Sequence, residues 1–246
     1  SRNIQSLTNN IIWNIFADQE HNIWLGTDYG ISLSRYNSAL QFIPISQITG
    51  TGDGNQFYSL FRDSKGFYWF GGTNGLIRFT DPAGDKHNAI WYRMGDKTYP
   101  LSHNRIRHIY EDKEQQLWIA TDGSINRYDY ATRQFVHYNI VDSTGTYNTN
   151  WTYYMFEDNA GHLWISTCLG GIFVVDKHRL MQSASGQYVA EQNYSVHNGL
   201  SGMFINQIIP DNEGNVWVLL YNNKGIDKIN PRTREVTKLF ADELNG

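Results

Sequence analysis

DNAGHLWIST, residues 158–167, is one of five near-copies of a single phrase. The others are DQEHNIWLGT (18–27), DSKGFYWFGG (63–72), DKEQQLWIAT (112–121) and DNEGNVWVLL (211–220). Each copy has an Asp six positions before a Trp: Asp18 and Trp24, Asp63 and Trp69, Asp112 and Trp118, Asp158 and Trp164, Asp211 and Trp217. The Trp residues lie 45, 49, 46 and 53 positions apart. The chain is therefore a tandem array, with approximate repeats 10–54, 55–103, 104–149, 150–202 and 203–246 inside one segment, 1–246.

A period near ~45 leaves helical solenoids and the WD and kelch propellers. No copy carries an apolar stripe at helical spacing, and Gly or Asn interrupts the β-branched and aromatic runs every few residues. Each copy reads instead as four strands, for example NQFYSLF, FYWFGG, LIRFT and AIWYRM in the second and RIRHIY, QLWIAT, INRYD and FVHYNI in the third. The expected fold is all-β: a β-propeller of five four-stranded antiparallel blades. The Asp is placed to cap the turn after each inner strand, with Gly supplying positive φ. The Trp lands on the second strand, where its ring fills the space between blades. Five copies of these Asp and Trp residues point to architecture, since a catalytic group needs only one.

The phrase D-x-x-G-x-[LIV]-W-[IVL]-[GSA]-T, followed by Gly-[IL] and in three copies by Arg-aromatic (Arg35-Tyr36, Arg78-Phe79, Arg127-Tyr128), resembles the two-component regulator propeller repeat. His21 and Gln115 stand where Gly is usual, and Leu219-Leu220 replaces the Gly-Thr pair. The resemblance implies the periplasmic sensor region of a hybrid two-component regulator of the Bacteroidetes type. Such receptors combine two propellers of about seven blades, a β-sandwich, a membrane helix, a histidine kinase, a receiver and a helix-turn-helix domain. It further implies an oligosaccharide ligand, neighbouring propeller and β-sandwich modules, a homodimeric receptor, and membrane attachment only through the longer chain. The terminal ADELNG resembles the lead-in to a sixth blade, so the five blades are expected to belong to a larger ring.

Composition narrows the function. A formal charge of −4 argues against a nucleic-acid surface. A single cysteine, Cys168, excludes a disulfide framework and a multi-Cys zinc site. The eight His fall in no ligand spacing, so neither metal nor cofactor is expected. GTGDGN (50–55) opens no helix and is unlike a true phosphate loop. DNEGN (211–215) lacks the distal Glu of a calcium loop.

Strand alternation locates the ligand candidates. Three positions before each Asp lies Ile15, Leu60, Ile109, Met155 or Ile208, which reads as core. Five positions before lie Trp13, Tyr58, Arg107, Tyr153 and Asn206, and seven before lie Ile11, Gln56, Arg105, Trp151 and Phe204. A two-residue period would put all three sets on one side. The last two sets vary between copies while staying aromatic or hydrogen-bonding, as sugar recognition requires. Trp13, Tyr58, Arg105, Arg107, His108, Trp151, Tyr153 and Asn206 are the candidate binding residues. Arg105, Arg107 and His108 form an expected cationic patch suited to an acidic sugar, with pairing to Asp122 or Asp142 as the alternative. No catalytic residue is expected. From the eighth to the third position before each Asp the inner strands read NIIWNI, NQFYSL, NRIRHI, NWTYYM and MFINQI, without the facing carboxylates of glycoside hydrolysis. A propeller lyase acting through loop residues and a protein-interaction scaffold are the two competing readings.

Overall fold

The computed structural model describes residues 7–36, 40–44, 55–80, 89–98, 100–183, 187–221 and 225–239. Residues 50–54 of the GTGDGN segment, turn residues 222–224 and the terminal ADELNG lie outside them. Five antiparallel blades of the β-propeller class follow one another. The first holds β1 (Ile12–Ala17), β2 (Ile23–Thr27), β3 (Gly30–Ser34) and β4 (Leu40–Pro44). The second holds β5 (Phe57–Arg62), β6 (Tyr68–Gly72), β7 (Gly75–Phe79) and β8 (Ile90–Tyr92). The third holds β9 (Ile106–Glu111), β10 (Leu117–Thr121), β11 (Ser124–Asp129) and β12 (Gln134–Val141).

The fourth blade departs from the expected four-strand rhythm. After β13 (Thr152–Glu157), β14 (His162–Thr167) and β15 (Ile172–Asp176), the chain forms a short helix, α1 (Lys177–Gln182). It then lays β16 (Gln187–Val189) parallel to β12 before β17 (Gln192–Tyr194) completes the blade. The third sheet thus has five strands. This insertion accounts for the long 53-residue interval between Trp164 and Trp217. Asp176 caps α1 by accepting the Arg179 N–H at 3.0 Å. Lys177 is fully buried and pairs with Glu157 at 2.8 Å. The fifth blade is β18 (Ile205–Pro210), β19 (Val216–Leu220), β20 (Ile226–Asn230) and β21 (Glu235–Leu239).

The chain divides into two compact units, 1–119 with 128–135 and 120–127 with 136–246. In the first, one core gathers Trp24, Leu33, Phe57, Leu60 and Phe70 between the first two blades. A second gathers Trp69, Tyr92, Ile106, Ile109 and Tyr128 between the second and third. In the second unit Trp164 is stacked between Phe156 and Tyr194, at 6.0 and 5.6 Å.

One device recurs in all five blades. The Trp indole N–H donates to Oδ2 of the Asp six residues earlier, at 2.7–3.0 Å. The same Asp uses Oδ1 to accept the backbone N–H four residues on, at 2.8–3.0 Å. One carboxylate therefore closes the turn and fixes the ring. In Asp211, side-chain bonds from Asn215 and then Trp217 hold the carboxyl down at about 2. In Asp18 and Asp158 burial works the other way, but the bonds from the indole and the turn outweigh it and the carboxyl is lowered. Asp63 also accepts the Tyr130 hydroxyl from the third blade at 2.7 Å. Burial, then this carboxylate, raise the Tyr130 phenol far above its usual range and keep it a donor.

The third residue after each Asp takes positive φ: His21 63°, Gly66 85°, Gln115 62°, Gly161 85° and Gly214 84°. His21 and Gln115 adopt the glycine conformation at a cost of about 1–2 kcal/mol each. The small residue two after the Trp has a packing cause. A Cβ on Gly26 would lie 2.6 Å from the Phe57 carbonyl oxygen, and one on Gly71 would lie 2.5 Å from Ile106. In the fifth blade Leu219 holds this position and is 41% exposed, so the larger side chain meets no such limit.

Asp112→Ala removes the turn cap and leaves the buried Trp118 N–H without its acceptor. Urea unfolding is expected to show a loss of roughly 2–4 kcal/mol; a loss below about 0.5 kcal/mol would remove the carboxylate from this role.

Candidate functional site

The inner strands do not run at a strict two-residue period. In the first, second, fourth and fifth blades the pairing to the next strand slips between Ile12 and Asn14, Phe57 and Ser59, Thr152 and Tyr154, and Ile205 and Gln207. The residue skipped is Trp13, Tyr58, Tyr153 or Asn206, the position five before the Asp. A bulge leaves one residue out of the ladder and re-aims its side chain. The expectation that positions three, five and seven share a side is therefore corrected. The buried core pair is instead positions three and six: Leu60 with Phe57, Ile109 with Ile106, Met155 with Thr152, Ile208 with Ile205. The first blade differs, with Ile15 66% exposed.

In the first unit the structure brings Trp13, Tyr58 and Arg107 together. Trp13 is 50% exposed and donates its indole N–H to Asp28 Oδ1 at 2.5 Å. Its ring meets Tyr58 edge-on, centroids 5.2 Å apart at 83°. Tyr58 donates its hydroxyl to Gln56 Oε1 at 2.5 Å, and the Arg107 guanidinium lies over the Tyr58 ring at 5.6 Å. Three neighbouring inner strands thus build an aromatic and cationic ladder. Arg105 is exposed on the lead-in to β9. The His108 ring stacks near Tyr110 at 6.3 Å, and burial pushes its pKa down to about 3. Asp142, offered as their partner, gives its carboxylate to the Thr144 hydroxyl and the Tyr147 N–H at 2.6 and 2.7 Å.

In the second unit Tyr153 meets Phe204 edge-on at 5.5 Å, and Phe204 stacks on Tyr221 at 4.6 Å. Asn206 is exposed beside them in sequence. Trp151 sits elsewhere in the unit, on the turn leading into β13. It is 47% exposed and has a left-handed φ of 56°. Its N–H donates to the Asp122 carbonyl at 3.1 Å and its carbonyl accepts the Cys168 N–H at 3.0 Å.

Trp151 lines a cavity of 230 Å³ with Tyr147, Asn148, Asn150 and Leu169 among its walls. A cavity of 480 Å³ adjoins it through Thr146 and Tyr147 and is walled by Asp142, Glu191, Gln192, Asn193 and His197 among others. Tyr147 stands between the two, its hydroxyl 3.2 Å from His197 Nε2. Of these wall residues the sequence points to Trp151 and Asp142; Tyr147, Asn148 and His197 lie between strands, where the copies share no fixed pattern. The one signal was the lengthened interval before Trp217.

Other motifs resolve as structural. Asn55, the described end of GTGDGN, is buried and its side-chain carbonyl accepts the Asn74 N–H at 2.9 Å. Cys168, the single cysteine of the sequence, is buried. Among the described residues no cluster of three His, Cys, Asp or Glu is placed to hold a metal ion, and no helix is long and apolar enough to cross a membrane.

Comparison with known proteins places these features. The two component regulator propeller family matches residues 6–29, 51–74 and 100–123. The chain is similar to the extracellular domain of BT4673 from B. thetaiotaomicron, described as a hybrid two-component system, with 95% identity and a TM-score of 0.81 over 100% of this chain and 33% of that one. It thus spans about a third of the length of that domain. The extracellular domain of BT3049 from the same organism shares 19% identity, with a TM-score of 0.71 over 96% of this chain and 29% of that one. Virginiamycin B lyase from Staphylococcus aureus shares 15% identity, with a TM-score of 0.66 over 93% of this chain and 69% of that one. These last two likenesses are of fold alone. No curated protein matches the chain.

The Trp13–Tyr58 contact joins two blades. A double-mutant cycle with Trp13→Leu and Tyr58→Leu is expected to give a coupling of about 0.5–1.5 kcal/mol in urea unfolding. Additive effects would show that the rings do not hold each other.

Proposed function

We propose that this chain, a member of the two-component regulator propeller family, is a periplasmic ligand-sensing segment of a hybrid two-component receptor. It binds an oligosaccharide without transforming it and passes occupancy to a membrane-spanning histidine kinase. The single observation that carries this reading is the position five before each Asp. Its backbone geometry repeats as a bulge, while its side chain changes from Trp to Tyr to Asn between blades. Architecture keeps its residues uniform, as the Asp–Trp pairs do; recognition of an irregular ligand calls for variety on a common frame. Aromatic faces stack on the CH faces of sugars, and amide and guanidinium edges pair with hydroxyls and carboxylates.

Transmission requires a ligand that favours one receptor conformation over another. The neighbouring propeller and β-sandwich modules of the longer protein, and a second copy of the receptor, are the partners that would share the ligand or feel its arrival. The likeness to the extracellular domain of BT4673 supports this setting. The inner-strand segments carry no Asp or Glu between the eighth and third positions before the turn, which favours binding over hydrolysis.

Calorimetry of the chain against neutral and acidic glycan fragments tests the reading. Saturable binding with the glycan recovered intact is expected. Appearance of a cleaved product would make the protein a lyase, and no binding to any glycan would leave a protein scaffold. For an acidic fragment, Arg105→Ala with Arg107→Ala is expected to weaken affinity about tenfold or more, the loss of at least one charge-assisted pair. Unchanged affinity would remove the arginines from the site.

A further inference from the structure

The wall composition of the paired cavities in the second unit is unlike that of the Trp13–Tyr58–Arg107 ladder. The smaller cavity is lined by Trp151, Tyr147, Leu169, Asn148 and Asn150 with no charged side chain. The larger one carries the carboxylates of Asp142 and Glu191 and neither Lys nor Arg. An anionic ligand would meet two acidic residues there and no Lys or Arg to offset them. An uncharged one would meet exposed ring and aliphatic surface flanked by amides and hydroxyls. That combination of one apolar platform and several convergent polar groups is the usual form of a small-ligand site.

The platform is held in a costly conformation. Trp151 is the one Trp, Tyr or Phe with positive φ among the described residues, and its equivalents Gln56, Arg105 and Phe204 do not share that φ. A bulky residue in the left-handed region is a genuine outlier, and such strain persists only where surrounding structure enforces it. Here both backbone groups of Trp151 are tied, the N–H to Asp122 and the carbonyl to Cys168. Glycine would meet the backbone requirement without strain. A half-exposed indole there gains too little burial to explain its presence. Leu169, 65% exposed on the same wall, is equally unexplained by packing.

We infer that the cavity between Trp151, Leu169 and Tyr147 is a subsite for an uncharged saccharide, with the Trp151 ring as its stacking platform. The inference rests on the sensor reading above and adds to it a place and a charge class. The Asn148 and Asn150 amides supply donors and acceptors for ring hydroxyls, and the sugar chain continues past Tyr147 into the larger cavity.

The test titrates this chain with neutral gluco-, manno-, xylo- and galacto-oligosaccharides, and separately with oligogalacturonides and sulfated heparin disaccharides. A neutral oligosaccharide is expected to bind. Trp151→Gly is expected to weaken it about tenfold or more while the thermal midpoint stays level or rises, because the left-handed strain is relieved. Leu169→Ala, at an exposed position that leaves folding intact, is expected to weaken the same ligand several-fold. Unchanged neutral-sugar affinity in both variants would overturn the subsite and leave the sensor reading standing. Binding confined to the acidic fragments would also overturn it. Binding of no glycan of either class would overturn both.

Discussion

The hydrogen bond from each repeat Trp to the carboxylate six residues earlier is the constraint on which the rest depends. A blade is four short strands with little to fix their turns. The Asp side chain closes the first turn with Oδ1 and anchors the indole with Oδ2. Local chain direction and inter-blade packing are thereby set by one residue. Buried carboxylates are costly unless fully paired, and each of these accepts at least one backbone and one indole bond. Asp63 adds the Tyr130 hydroxyl from another blade, so the same oxygen that anchors the indole also ties neighbours together.

Because the turns and second strands carry the architecture, the inner strands are released from it at one position. The bulge five residues before the Asp takes a side chain out of the ladder, and the residues on either side, such as Phe57 and Leu60, keep the core closed. The cavities of the second unit are walled instead by the segment before β13 and by residues 190–198, and the bulged positions do not line them; Trp151 is held there by backbone bonds in place of strand pairing.

The blades were legible in the sequence because the signals were redundant. Trp, Asp and turn residues recurred at fixed offsets, and every copy reinforced the others. Two departures were also interpretable: Gln115 takes the φ of the glycine it replaces, and Leu219 stands where no close approach limits its size. The side assignments failed at the bulge, because alternation assumes an unbroken ladder and sequence gives no count of a residue left out of pairing. The cavities at Tyr147 and His197 were not legible at all. Loops outside a repeat have no internal copies to compare, and their mutual approach is decided only by the folded chain.

Five indoles are bound to their turns, whereas the Trp151 ring stands half in solvent. Hydrogen exchange of the Trp side-chain N–H groups, resolved by nitrogen-15 labelling, tests this directly. Trp24, Trp69, Trp118, Trp164 and Trp217 are all expected to exchange more slowly than Trp151, whose ring lies half in solvent. A repeat Trp exchanging as fast as Trp151 would contradict it.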